Sequence, residues 1–228
     1  MKTFFRLAAA LMLCTAPAFA AGIADLSNKD TAAGLKEALT KGSQAAVEVL
    51  AKQDGFLGNE RVKIPLPETL HKVEGLMRSF GMGKYADELV TTMNRAAETA
   101  VVEAKPLLVN AVKNMTVQDA KGVLTGGEDA ATQYFKRSTS AALSDKFLPI
   151  VKKATQKVKL AEKFNEFAGK GAKLGLIDQK DADLNNYVTQ KTLDGLFLMI
   201  AEEEKKIRKD PLGSASSIIS KVFGAIGK

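Results

Sequence analysis

Apolar residues recur at spacings of three and four along almost the whole chain, and no sustained alternation of apolar with polar residues appears. Side chains three and four apart share one face of an α-helix, whereas a strand needs a period of two. This restricts the chain to helices packed on helices, and the predicted fold class is an all-α, single-domain bundle of several helices. One long interruption falls over residues 53–66. There Asp54-Gly55 and Gly58-Asn59 supply turns, and Ile64-Pro65-Leu66-Pro67 enforces extended backbone.

The helices can be placed from their punctuation. Asn28 or Asp30 caps the first, whose stripe is Leu35, Ala38, Leu39, Gly42, Ala45, Ala46, Val49 and Leu50. Pro67 and Glu68 suit the first turn of the second, which runs to about Phe80 and stops at Gly81-Met82-Gly83. From Lys84 a long helix turns Ala86, Leu89, Met93, Ala96, Ala97, Ala100, Val101 and Ala104 inward, until Pro106 kinks or restarts it. Thr116 with Asp119 reads as a short-armed capping box, and Gly126-Gly127 breaks the chain. Further helices are predicted from Glu128 to about Ala142, from a Ser144 cap through Phe147 and a bend at Pro149, and from Leu160 to Leu174. The last long one covers Leu184 to Lys209, with Leu193, Leu196, Phe197, Ile200 and Ile207 on one side. Its Glu202–Lys206 and Glu204–Arg208 spacings mark a solvated outer face. The terminal stretch 214–227 aligns Ile218, Ile219, Val222, Phe223 and Ile226. Three uses are open to it: bundle core, a dock for a partner helix, or a membrane surface.

Residues 1–20 read as a removable address. Lys2 and Arg6 precede an apolar run, Leu7 to Thr15, too short to span a bilayer, and Ala18-Phe19-Ala20 sets small residues where a signal peptidase cuts. Cleavage after Ala20 leaves residues 21–228 as one helical domain outside the cytoplasm. The only cysteine, Cys14, departs with the leader, which excludes thiol catalysis and disulfides together. Lipid attachment at Cys14 would need a small residue before it, and Leu13 is bulky. The excess of 33 lysines and arginines over 26 acids keeps its sign after the leader is lost. Outside the cytoplasm that charge points away from nucleic acid and toward an envelope protein or an anionic lipid surface. No later stretch is long and apolar enough for an integral membrane protein.

No catalytic motif keeps its spacing. His71 is the single histidine, and no G-x-S-x-G elbow exists. Glu68, His71 and Glu74 lie three apart, but a zinc site usually asks for more histidine or cysteine. Asp181-x-Asp183-x-Asn185 opens like a calcium loop, then places Asn186 where glycine is needed and Thr192 where glutamate is needed, so these residues read as a helix cap. The glycine pairs match no phosphate-binding fingerprint. No catalytic residue, metal or cofactor is therefore expected. Three polar clusters are the candidate ligand-binding residues: Asn94, Arg95 and Glu98; Tyr134 and Arg137; and Tyr187. A buried Arg–Glu pair with tyrosine hydroxyls would hold helix register, and a pocket for an anionic ligand would use the same groups.

Four segments occur in a recognisable order: Asp54–Asn59 with Ile64–Glu68; Met93–Glu98; Asp129–Phe135; and Tyr187–Lys191 through Asp194–Phe197 to Ala201–Glu204. Together they resemble an exported bacterial family catalogued as domain of unknown function 4197, over about residues 24–223. The resemblance implies a Gram-negative periplasmic setting and a helical fold, and carries no activity, ligand or catalytic residue. The expectation is a periplasmic binding or interaction protein without catalysis. The alternatives are an enzyme, such as a hydrolase, using carboxylates with Arg95, and a peripheral membrane protein. Mass spectrometry of the protein recovered from the envelope of an expressing Gram-negative bacterium should give a chain that begins at Ala21. Retention of Met1, or lipid on Cys14, would contradict export by this route.

Overall fold

In the computed structural model, which describes residues 28–173 and 183–210, the periodic segments form α-helices, and no strand occurs among the described residues. The helices are α1 (Asn28–Leu50), α2 (Glu68–Ser79), α3 (Gly83–Ala100), α4 (Ala104–Asn114), α5 (Val117–Thr125), α6 (Ala130–Thr155), α7 (Lys159–Lys173) and α8 (Leu184–Lys209). The predicted leader, Asp181 and the terminal stripe 214–227 lie outside the described residues. The protein is all-α. Buried side chains from α1 and α3–α8, from the start of α2 and from the α1–α2 connection, meet in one apolar cluster.

Local signals held where they were strongest. Every predicted inward residue of α3, from Ala86 to Ala100, is buried, and Val101 and Ala104 continue the face. Most are alanines, so α6 can approach closely. Pro106 has no N–H to give the carbonyl one turn back, and the chain tightens into a single 3-10 turn, Val101–Glu103, before α4 begins. The Asp119 amide donates to Thr116 Oγ1 at 3.1 Å, and the Thr116 amide donates to Asp119 Oδ2 at 3.0 Å, a complete capping box on α5. Asp183 caps α8, accepting from the Asn185 amide at 2.7 Å.

The α1 face needs a correction. Ser43 and Val47 are buried, while Val49 is exposed. The buried line centres on Leu39, Ala46 and Leu50.

A second correction concerns residues 128–158. The Ser144 cap does not exist, because Ser144 lies within the continuous helix α6 and Pro149 is accommodated inside it. The buried residues of α6 include Ala131, Phe135, Thr139, Leu143, Phe147, Val151 and Thr155, one every fourth position. Four residues overshoot a helical turn, so this line winds roughly 240° about the axis over its length. No one-sided stripe results. Instead α8, α3, α4 and α5 all pack on α6. It is the central helix.

The third correction concerns the Glu204–Arg208 pair of α8, which meets the start of α6. Asp129 makes no side-chain cap there. The first amides donate instead to Glu204 of α8: Ala131 N to Oε1 at 3.0 Å and Thr132 N to Oε2 at 2.9 Å, with the Thr132 hydroxyl at 2.8 Å. Glu204 is therefore buried, not part of an outer face. Arg208 donates to it through Nε at 3.0 Å and Nη2 at 2.8 Å, and Nη2 also reaches the Val123 carbonyl of α5 at 3.0 Å. A carboxylate on a helix N-terminus meets both unpaired amides and the positive end of the dipole. Glu202 pairs with Arg61 across the fold, and Lys206 pairs with Glu203, not Glu202. Glu204→Ala leaves two buried helix amides without their acceptor and removes the carboxylate partner of half-buried Arg208, and should cost about 3–5 kcal/mol. Glu60→Ala removes a surface pair with Lys63 and should stay within about 1 kcal/mol. Urea denaturation measures both.

Candidate functional site

The connection between α1 and α2, residues 51–67, contains turns and extended backbone but no helix. Its entry is set by Asp54, in the left-handed region at φ 65°, followed by Gly55. A Cβ on Gly55 would lie 2.3 Å from the Leu50 carbonyl oxygen, so only glycine fits. The loop nevertheless drives Phe56, Val62, Ile64 and Leu66 into the core. Its backbone groups go with them and need partners.

Turns within the loop supply some of these, such as Val62 N to the Asn59 carbonyl, and helix α3 supplies others. Asn94 is fully buried. The Ile64 amide donates to its Oδ1 at 2.8 Å, and its Nδ2 donates to the Ile64 carbonyl at 2.9 Å and the Val90 carbonyl at 2.8 Å. One carboxamide thus serves Ile64 as a neighbouring strand would. One turn on, Glu98 Oε1 accepts from the Phe56 and Leu57 amides, each at 3.1 Å. Its Oε2 accepts from Arg95 Nη1 at 2.7 Å, while Arg95 Nη2 reaches Asp54 Oδ1 at 2.8 Å. These bonds hold the Arg95 guanidinium firmly in its charged form, Glu98 contributing most.

Helix α8 closes the other side. The Tyr187 hydroxyl donates to the Pro65 carbonyl at 3.1 Å, and burial pushes its pKa up to about 12. Gly195 lies under Phe56: a Cβ there would come within 2.8 Å of the ring and 3.3 Å of Val62 Cβ. Helix interiors disfavour glycine by about 1 kcal/mol, so close approach is what the position serves.

Of the six candidate residues, Asn94, Arg95, Glu98 and Tyr187 are brought together around this loop. Tyr134 and Arg137 are elsewhere, on α6. The Tyr134 hydroxyl donates to the Ala111 carbonyl of α4 at 2.8 Å, and its ring meets Phe135 edge-on at 5.9 Å. Arg137 borders a polar cleft of about 220 Å³ with Gln118, Asp119 and Gln133. The Thr116 hydroxyl, bonded to Asp119, holds that carboxyl below its usual range.

Beside Arg95 and Glu98 runs an open groove of about 750 Å³, lined also by Gln53, Thr99, Val102, Glu103 and Ile150. Both Glu98 oxygens are engaged with the loop or Arg95. The groove therefore offers an arginine, an amide, a hydroxyl, the Glu103 carboxylate and apolar surface, while both oxygens of Glu98 are already engaged. His71 is exposed and bonds Glu74 at 3.0 Å, and the other Glu74 oxygen is held by Arg78 at 2.7 Å. Among the described residues no group of three or more metal-ligating side chains converges.

Glu204 and Gly195 were not among the sequence candidates. The signal for Glu204 was present, since it stands four residues after Ile200 on the apolar side of α8, but its spacing to Arg208 imitates a surface pair. Gly195→Ala should lower stability by about 1–3 kcal/mol through overpacking on Phe56. Asn94→Ala leaves two buried Ile64 groups unpaired, at about 1–3 kcal/mol each. Hydrogen exchange should show the Ile64 and Phe56 amides losing protection in Asn94→Ala ahead of those in α6.

No curated protein and no solved structure matches the chain. Residues 25–224 match a family model described as protein of unknown function (DUF4197). Matched over most of its length, the chain belongs to that family.

Proposed function

We propose that this chain is a periplasmic binding or interaction protein with no catalysis of its own. The observation that carries this reading is the state of Glu98. Its oxygens accept from two loop amides and from Arg95, so they position backbone. General acid–base work needs a carboxyl oxygen free to exchange a proton with a substrate. Asn94 is likewise committed to Ile64. What the scaffold leaves open is the adjoining groove, whose Gln53, Thr99, Val102 and Glu103 suit a segment of an envelope protein. The leader pattern favours the compartment, and no described helix is long and apolar enough to cross a membrane.

A photo-crosslinking residue placed at Val102 should give discrete adducts in the envelope of expressing cells, lost on Thr99→Arg. The same residue at exposed Lys121 should give none. Turnover of ester, phosphate or glycoside substrates by the pure protein, abolished by a folded Glu98→Gln variant, would establish an enzyme instead.

A further inference from the structure

The connection between α2 and α3 is the most apolar exposed feature of the described surface. Phe80 is 70% exposed, Met82 43% and Tyr85 40%, three large side chains within six residues. Scattered exposed apolar residues are ordinary, but a cluster on one turn marks a contact surface. Helix α2 packs mainly against α3, and the turn joins the two.

The turn is built to stay closed. Gly81 takes φ +72°, its amide donates to the Arg78 carbonyl at 3.0 Å, and the Met82 amide reaches back to the Met77 carbonyl at 2.8 Å. These are the two bonds of a Schellman ending. The Tyr85 amide donates to the Met82 carbonyl at 3.1 Å. Arg78 ties the two helices together, donating to Glu74 at 2.7 Å and to Asp87 at 2.6 Å. Its charge is thereby matched by one carboxylate of α2 and one of α3. The Gly81, Met82 and Tyr85 amides are thus satisfied within the turn, while no side chain caps the first amides of α3.

The side-chain chemistry fits a bilayer surface more closely than a protein cleft. Phe80 and Met82 form an apolar wedge. Tyr85 is amphipathic, and Lys84 lies over its ring with Nζ 5.2 Å from the centroid. An aromatic ring with a lysine beside it is the pairing favoured at headgroup depth, where the stem is buried and the charge stays wet. Asp87, paired with Arg78, and Glu88 follow on the next turn of α3, but between Ser79 and Ala86 the only charge is that of cationic Lys84. The chain as a whole carries the same sign of charge.

We infer that the α2–α3 turn inserts Phe80 and Met82 into the surface of a bilayer containing anionic lipid, with Tyr85 and Lys84 at the headgroups. This rests on the envelope setting proposed above but not on the groove, so the two stand or fall separately. One short wedge makes such binding reversible.

The test is co-sedimentation of the protein purified after export with vesicles of phosphatidylethanolamine and phosphatidylglycerol. Phe80→Ser/Met82→Ser should weaken partition about tenfold or more, with an unchanged melting temperature, because both side chains are already exposed. Val117→Ser, which removes an exposed residue on α5, should leave partition unchanged. Binding should be weaker on phosphatidylcholine alone and at raised salt. Failure of the unaltered protein to sediment, or equal partition by the double variant, overturns the inference. Concentration-dependent dimers abolished by the double variant, without vesicle binding, would also overturn it, by assigning the turn to a second copy of the chain.

Discussion

The fold depends on burying a segment that has no helix of its own. Residues 51–67 seat Phe56, Val62, Ile64 and Leu66 in the core between α3 and α8. Each such side chain contributes about 1.5–3 kcal/mol when buried. Each backbone group left without a partner beneath them would cost about 1–3 kcal/mol. The two quantities are of similar size, so the apolar gain is retained only because Asn94, Glu98 and Tyr187 complete the backbone's hydrogen bonds. That same set of bonds joins the end of α1 to α3 and α8. The loop acts as the joint of the bundle.

Glu204 repeats the device at a second seam. There a side chain of α8 serves the amides of α6, and Arg208 extends the contact to α5. The segments that carry the family resemblance coincide with these two places. Asp54–Asn59 and Ile64–Glu68 meet Met93–Glu98 and Tyr187–Phe197 at the first; Asp129–Phe135 meets the stretch ending in Glu204 at the second. The polar residues that look most like a site are therefore largely scaffold. The groove beside Thr99 and Val102, and the turn bearing Phe80, are surfaces that scaffold leaves free.

The helical class, the α5 capping box, the Asp183 cap and the inward face of α3 were legible in the residues themselves. Each depends on groups within one or two turns of one another, and the chain carries those wherever it goes. The α6 region was illegible for the opposite reason. A buried line that advances by fours produces no stripe, and only the helices packed round it define which side is inside. Among the candidate site residues, the Arg95–Glu98 pair could be read from its spacing of three, whereas its bonds to Phe56 and Leu57 span a loop and a helix.

Glu204 and Gly195 draw the boundary most sharply. By itself the sequence determined that this protein is helical, where most helices begin and end, and that its one cysteine lies at position 14, ahead of the first helix. These are consequences of periodicity, backbone restriction and position in the chain. Tertiary structure alone decided that a glutamate with a surface-like pairing is buried beneath a distant helix, and that a glycine inside a helix is the seat of a phenylalanine. Burial and close approach are relations between segments far apart in the chain, and local pattern contains neither.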